Sequence, residues 1–239
     1  CIPFGEDAKI CLNGVIDRVD LCSLPGEKLI KIIDYKSSDS QDLLLAKVYY
    51  GLQMQLLTYL EAAKEMVEKE HEGKEAVPAA MLYYVIKEKN LDWKPESEEE
   101  YEKRVLDSMK CKGYVNEEPE IIGHLDKSVV NGGELIPGQK SGVVPVAVDK
   151  KGLLKKNSGT LSTKDFETLI AHTKEKMKEC GKAILDGKIE AIPYVYEDND
   201  GCTYCPYGSV CGHESKKDGV REMKKMSDDE VWEALYGDN

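Results

Sequence analysis

Two short acidic stretches near the N-terminus carry the side chains best suited to hydrolytic chemistry. Asp17 stands in Gly14-Val15-Ile16-Asp17-Arg18-Val19-Asp20, and Asp34 and Lys36 stand in Ile32-Ile33-Asp34-Tyr35-Lys36-Ser37-Ser38. Carboxylates projecting from two paired strands can bind a hard divalent cation such as Mg²⁺, which takes oxygen ligands and keeps several waters. A lysine two residues beyond Asp34 points the same way. There it can orient or help deprotonate a water and offset charge developing on phosphorus. Either stretch alone is better read as a hairpin with exposed charges and a cross-strand ion pair. A third piece shifts the balance, because Gln55 and Tyr59 fall at i and i+4, on one helix face, soon after the second stretch. If buried they need partners, which the lysine, a carboxylate or a nucleic-acid backbone would supply, as would a purely structural hydrogen bond.

A second constellation lies near the C-terminus. Cys202, Cys205 and Cys211 form a Cys-x2-Cys-x5-Cys run, with soft thiolates close enough to ligate one metal centre. Three ligands leave one missing, and His213 would complete a local Cys₃His zinc set. The other cysteines, at 1, 11, 22, 111 and 180, are scattered through a long acidic chain, which argues against a disulfide framework.

Strand-like material from Ala8 to Cys22 and from Leu29 to Ser37, joined by the turn chemistry of Leu24 to Lys28, must position the carboxylates. Counting by twos puts Val15, Asp17 and Val19 on one face of the first strand, and Ile30, Ile32, Asp34 and Lys36 on one face of the second. Ser37 to Ser40 reads as a loop and N-cap, and Asp42 to Glu70 as one long amphipathic helix with Leu45, Val48, Leu52, Gln55 and Tyr59 stacked. The apolar run between Ala76 and Lys87 fits a central strand. Ser97 and Glu100 make a capping box for an exposed helix to Lys110, and Lys112 to Lys151 reads as loops with short strands. Ser162 to Asp165 caps a second strong helix to about Asp186, stopped at Gly187, and the charged tail is helical around Asp228 to Leu235. Strand, strand, helix, strand makes an α/β core.

At 239 residues, 41% hydrophobic and 33% charged, the chain reads as one soluble domain, or a domain with a small appendage. Its 45 acidic residues against 33 Lys and Arg give a net charge of −12. That excludes coating nucleic acid by bulk electrostatics and leaves a local basic groove open. No run approaches ~20 apolar residues, and the N-terminus lacks a basic segment before an apolar one. Neither a membrane span nor a secretory signal is expected, and the expected location is the cytoplasm. Gly133 to Ser141 nearly spells a phosphate loop, but Gln139 separates Gly138 from Lys140. His71, His124, His172 and His213 form no His-Glu-x-x-His motif and pair with no nucleophile in sequence. The lysines between Lys174 and Lys182 read as a solvated face.

Gly-x-x-Asp-Arg-x-Asp, Asp-x-Lys and Gln-x-x-x-Tyr, in this order and spacing, resemble the RecB-type branch of the PD-(D/E)xK nuclease superfamily. The resemblance implies a restriction-endonuclease-like α/β fold, a mixed central sheet flanked by helices, and metal-dependent cleavage of DNA. It implies that Asp17, Asp34 and the backbone carbonyl of Tyr35 hold Mg²⁺ or Mn²⁺. Lys36 would assist the attacking water, with Gln55 and Tyr59 supporting the site. The cysteine triad resembles the iron-sulfur members of the superfamily. With Gly187 to Pro193 ahead of it, the chain looks like the B-subunit nuclease domains of AddAB-type helicase-nucleases from about residue 8 to about 214. There, three C-terminal cysteines join a distant N-terminal one around a [4Fe-4S] cluster. This implies Cys202, Cys205 and Cys211 as ligands, with the fourth upstream of this chain; Cys1 is not assigned.

An upstream helix that supplies an acidic or His residue in that family has no counterpart here, so a fragment lacking the N-terminal part of the domain is expected. The expected division is a nuclease core at 1–200, a cluster loop at 201–214 and a tail at 215–239. The implied function is a DNA exonuclease domain acting with an AddA-like helicase-nuclease subunit in double-strand break repair and recombination. The rival readings are a CRISPR-associated iron-sulfur nuclease, a non-catalytic DNA-binding scaffold of the same fold, and a zinc-stabilised interaction domain. Asp17, Asp34 and Lys36 occurring together favours the enzyme over the scaffold.

Overall fold

The computed structural model describes residues 1–4, 8–37, 42–71, 73–86, 97–214 and 219–237, which fall into two compact units. Ser38 to Ser40 of the expected loop and N-cap, and Lys87 at the end of the expected third strand, lie outside the described residues. In chain order the elements are β1 (Ile2–Phe4), β2 (Ala8–Ile10), β3 (Arg18–Ser23), β4 (Glu27–Lys36), α1 (Leu45–Tyr49), α2 (Gln55–Glu70), β5 (Glu75–Val85), α3 (Glu98–Ser108), β6 (Lys112–Asn116), α4 (Pro119–Leu125), β7 (Val130–Asn131), β8 (Glu134–Leu135), β9 (Thr160–Leu161), α5 (Thr163–Leu185), β10 (Tyr194–Tyr196), β11 (Asn199–Asp200), α6 (Gly208–Cys211), β12 (Arg221–Met223) and α7 (Asp228–Gly237).

The larger unit, residues 13–44 and 53–171, is built on a five-stranded sheet in the order β3-β4-β5-β6-β9. β3 and β4 form the expected antiparallel hairpin, closed where the Leu24 and Glu27 backbones exchange hydrogen bonds. β4 and β5 are parallel, β5 and β6 antiparallel, and β6 and β9 parallel, so the sheet is mixed. Parallel neighbours need a crossover, and α2 supplies it. Its Leu56, Leu60, Ala63 and Val67, spaced by three or four, are buried and lie along one stripe of the helix. α2 packs on β4 and β5, above Ile30, Ile32 and Met81, all fully buried. The opposite face carries Ile33, Ala80, Leu82 and Val115 under Ile122 of α4 and Val144 and Val146 of the following loop.

One irregularity in the sheet sets its geometry. Ile30 pairs with Pro78, but the next residue, Lys31, pairs with Ala80, so Ala79 is an extra residue on β5. Proline cannot donate to a ladder and is tolerated at such bulges. The Pro78 carbonyl is satisfied from the side, by the amide of fully buried Asn116 at 2.9 Å. The same amide reaches the Thr163 hydroxyl at 2.8 Å, and the Asn116 oxygen accepts from Glu118 N–H at 3.1 Å. On the far side of β5, Gly113 of β6 sits at φ +126°, where a Cβ would lie 2.3 Å from the Met81 carbonyl, so only glycine fits.

The smaller unit, residues 1–12, 45–52 and 172–239, holds the β1–β2 hairpin, α1, most of α5 and the C-terminal elements. Cys1 and Cys11 are joined as a disulfide, one pair beyond the Ile2–Ile10 register. Expecting no disulfide framework overlooked this local bridge. From the tail, β12 runs parallel to β10, and α7 packs on α1.

The sequence reading needs three further corrections. Ala8 to Cys22 is not one strand: β2 and β3 are separate, and Asp17 lies just before β3. The helix expected over Asp42 to Glu70 is two. Gly51, at φ +76°, ends α1 with its N–H on the Val48 carbonyl while Leu52 N–H reaches Lys47, the paired bonds of a glycine-stopped helix. Lys112 to Lys151 contains a full sheet strand, β6, and the helix α4. The caps at Ser97 and Ser162 form as expected, each hydroxyl accepting the backbone N–H three residues on at 3.1 Å.

Asn116→Ala leaves the buried Pro78 carbonyl without its side-chain partner and removes the bond to the exposed Glu118 N–H, and should lower unfolding stability by about 1–3 kcal/mol. Denaturant titration measures this, and an unchanged midpoint would show that the bulge does not depend on Asn116.

Candidate active site

The candidate site lies entirely in the larger unit, at the C-terminal end of β4. Asp34 is only 3% exposed, while Lys36, two residues on and on the same face, is partly open. Lys36 Nζ stands 2.6 Å from Asp34 Oδ2 and donates to Gln55 Oε1 at 2.9 Å. The Gln55 amide in turn donates to the Tyr59 hydroxyl at 3.0 Å. Gln55 opens α2, so the crossover that makes β4 and β5 parallel also brings this pair over the strand end. The structure therefore joins Asp34, Lys36, Gln55 and Tyr59 in one polar chain.

Asp17 reaches the same place from the hairpin's other arm. Its Oδ2 accepts the backbone N–H of Tyr35 at 2.9 Å, which fixes its carboxylate beside the residue between Asp34 and Lys36. Arg18 pairs with Ile33, and continuing that register sets Asp17 across from Asp34. The cross-strand ion pair of the plainer reading belongs to a different residue: Asp20 pairs with Lys31 at 2.8 Å and with Arg18 at 2.8 Å. The Arg18 hydrogen bond, then Lys31, hold the Asp20 carboxyl below its ordinary value against partial burial.

The donor set fits a hard divalent cation. Asp34 Oδ2 is buried, and Lys36, at ion-pair distance, does not meet it in hydrogen-bonding geometry, so a lone pair stays open. Among the described residues no three His, Cys, Asp or Glu side chains gather as a metal-holding group. A cation here would take the carboxylates of Asp17 and Asp34, the Tyr35 carbonyl and waters, a set that suits Mg²⁺, which commonly uses one or two carboxylates.

Tyr83 escaped the sequence reading. Lys36 Nζ lies 5.2 Å over its ring, and its register partner is Asp34. Burial, then the Asp34 charge, push its phenol up to about 12. Simple alternation along β5 cannot find it, because the extra residue at Ala79 reverses which residues face α2. Pro78 within an apolar strand was the available signal.

The sequence-predicted cysteines lie in the smaller unit. Cys202, Cys205 and Cys211 are exposed and unbonded to one another. Asp200 organises the turn that carries them, accepting from Cys202 N–H at 2.9 Å and from Thr203 N–H and hydroxyl at 2.6 and 2.8 Å. The Cys202 thiol is pushed up by slight desolvation against the turn, then by Asp200 and the thiols of Cys205 and Cys211.

Comparison with known proteins gives concordant matches. The profile of the PD-(D/E)XK nuclease superfamily matches residues 2–212. Curated relatives are named as the B subunits of ATP-dependent helicase/deoxyribonucleases. One from Lachnoclostridium phytofermentans is 36% identical over 96% of this chain, one from Thermoanaerobacter sp. (strain X514) 35% over 98%, and one from Alkaliphilus oremlandii 31% over 100%. The chain spans 20% of the length of each of these relatives.

The raised Tyr83 phenol gives a pH prediction with a definite sign. The folded state holds this proton above the unfolded value of about 10. Its contribution is thus complete below pH ~10 and lost as pH rises toward ~12. Between those limits Tyr83→Phe should lose about 2 kcal/mol less stability than the parent protein in denaturant unfolding. Equal losses in both proteins would show that Tyr83 titrates normally.

Proposed function

Since the chain belongs to the PD-(D/E)XK nuclease superfamily, we propose that its larger unit is a metal-dependent deoxyribonuclease domain hydrolysing phosphodiester bonds at Asp17, Asp34 and Lys36. The observation that carries this reading is the unbroken polar chain from Asp34 through Lys36 and Gln55 to Tyr59, with Asp17 tied to Tyr35 beside it.

Asp17, Asp34 and the Tyr35 carbonyl are the residues to hold Mg²⁺ or Mn²⁺, which when bound lowers the pKa of a coordinated water and stabilises charge on the phosphate. Lys36 has three ammonium hydrogens; one points to Gln55, and the position beside Asp34 lets another reach a water or a phosphate oxygen. Gln55 accepts from Lys36 and donates to Tyr59, which restrains the lysine to one rotamer. Preorganised charge of this kind loses little to reorganisation as negative charge develops at phosphorus.

The relatives' names, B subunits of ATP-dependent helicase/deoxyribonucleases, support a place in the B-type chain of a helicase-nuclease. The proposed role goes further than those names: an exonuclease domain fed DNA by an AddA-like partner, serving double-strand break repair and recombination in the cytoplasm. The net charge of −12 fits a domain whose DNA is delivered by partners. Cys202, Cys205 and Cys211 are proposed to ligate a [4Fe-4S] cluster in the parent protein. Their tight spacing and shared turn support this, and the fourth thiolate would come from a segment beyond this chain.

Asp34→Ala and Lys36→Ala should each reduce Mg²⁺- or Mn²⁺-dependent cleavage of single-stranded DNA by about 10²-fold or more with the fold intact. The assay is to be run on this chain and on a longer parent. Cleavage that survives both substitutions would place the chemistry elsewhere, and no cleavage by either wild-type protein would favour the scaffold. Anaerobic reconstitution of the longer parent should give a brown protein with iron and acid-labile sulfide, lost in Cys205→Ser. Colourless protein holding zinc would replace the cluster with the zinc reading.

A further inference from the structure

The cavity between the outer half of the β3–β4 hairpin and α4 holds a pairing that the nuclease site does not use. Its volume is about 180 Å³, and Leu21, Leu29, Ile121 and Leu125 supply apolar walls. Inside it, Cys22 Sγ lies 3.7 Å from His124 Nδ1, across 102 residues of sequence. Two donors bound to one tetrahedral Zn²⁺, at about 2.3 Å for sulfur and about 2.0 Å for nitrogen, stand about 3.6 Å apart. Cys22 and His124 stand here at thiol–imidazole hydrogen-bond distance, and the same separation suits two ligands of one ion.

We propose that Cys22 and His124 form a binding site for a thiophilic divalent cation, Zn²⁺ or Cd²⁺. The remaining charged groups of the cavity leave room for it. Asp20 is committed to Arg18 and Lys31 through its two oxygens, so it offers no ligand, and Lys31 is drawn toward Asp20. Two protein ligands leave two positions of a tetrahedron to water, one more than in catalytic zinc sites with three protein ligands. The exposed edge of His124 gives the ion an entry path, while partly buried Cys22 packs against the cluster of Leu29, Val77 and Ala79. On binding, the thiol releases its proton to water and the imidazole coordinates through Nδ1. The ion would then clasp the edge strand β3 to α4.

The test uses the chain with Cys202, Cys205 and Cys211 changed to serine, so that those thiols cannot compete, titrated with Co²⁺. The expected result is one equivalent bound with a thiolate-to-cobalt charge-transfer band, which ions at Asp17 and Asp34 cannot produce. Cys22→Ser should abolish the band, and His124→Ala should weaken binding by about tenfold or more. Zn²⁺ should displace the cobalt and raise the melting temperature, an effect absent in Cys22→Ser. No band at all, or a band that survives Cys22→Ser, overturns the site; an unchanged affinity in His124→Ala overturns the part assigned to histidine.

Discussion

A carboxylate almost wholly removed from water is the constraint around which the larger unit is arranged. Asp34 is 3% exposed at the end of a central strand, and an ionised group so placed must be paired or must give up its charge. Lys36 supplies the opposite charge, and Gln55, Tyr59 and the Tyr83 ring fix where that charge sits. Such a pair is weak evidence of stabilisation, since desolvating both ions costs as much as their attraction returns. Its value lies in leaving a buried oxygen of Asp34 available beside Asp17, where a cation can complete what the lysine only half satisfies.

How much of this was legible in the sequence follows from the range of the interactions involved. Strand alternation places Asp34 and Lys36 together because the period of two holds along β4 without interruption, and helix spacing places Gln55 and Tyr59 together for the same reason. The caps at Ser97 and Ser162 are equally local. The break at Gly51 was also local, but a stripe of apolar residues running through it gave the stronger signal, and the stripe prevailed wrongly. That β6 belongs to the central sheet is not legible in the sequence, because it is five residues long with a glycine inside it, chosen by its closeness to the Met81 carbonyl of a neighbouring strand. Contacts of that kind are tertiary, and no window of sequence contains them.

The two sets of proposed functional residues are held by different means. In the larger unit the polar residues hang on regular strands and a helix, whose packing holds them. In the smaller unit Cys202, Cys205 and Cys211 ride on a turn organised by a single carboxylate, Asp200, through three hydrogen bonds. Rigid elements suit groups that must meet a reacting phosphate to within fractions of an ångström. A turn would suit the proposed cluster ligands, whose final geometry a bound centre can impose.

The extra residue at Ala79 gives β5 something like a reading frame. Before it, Val77 faces the same side as Leu29; after it, Ala80 and Leu82 take over that side, and Met81 and Tyr83 are turned toward α2. The strand is thus two half-strands set one step out of phase, with Pro78 and Asn116 at the joint. Removing Ala79 would leave every other pair with β4 in place, with Pro78 opposite Ile30, Ala80 opposite Lys31 and Tyr83 still beneath the lysine. The joint thus absorbs one extra residue without disturbing the site, a change of length that a regular stretch of the same strand could not take up.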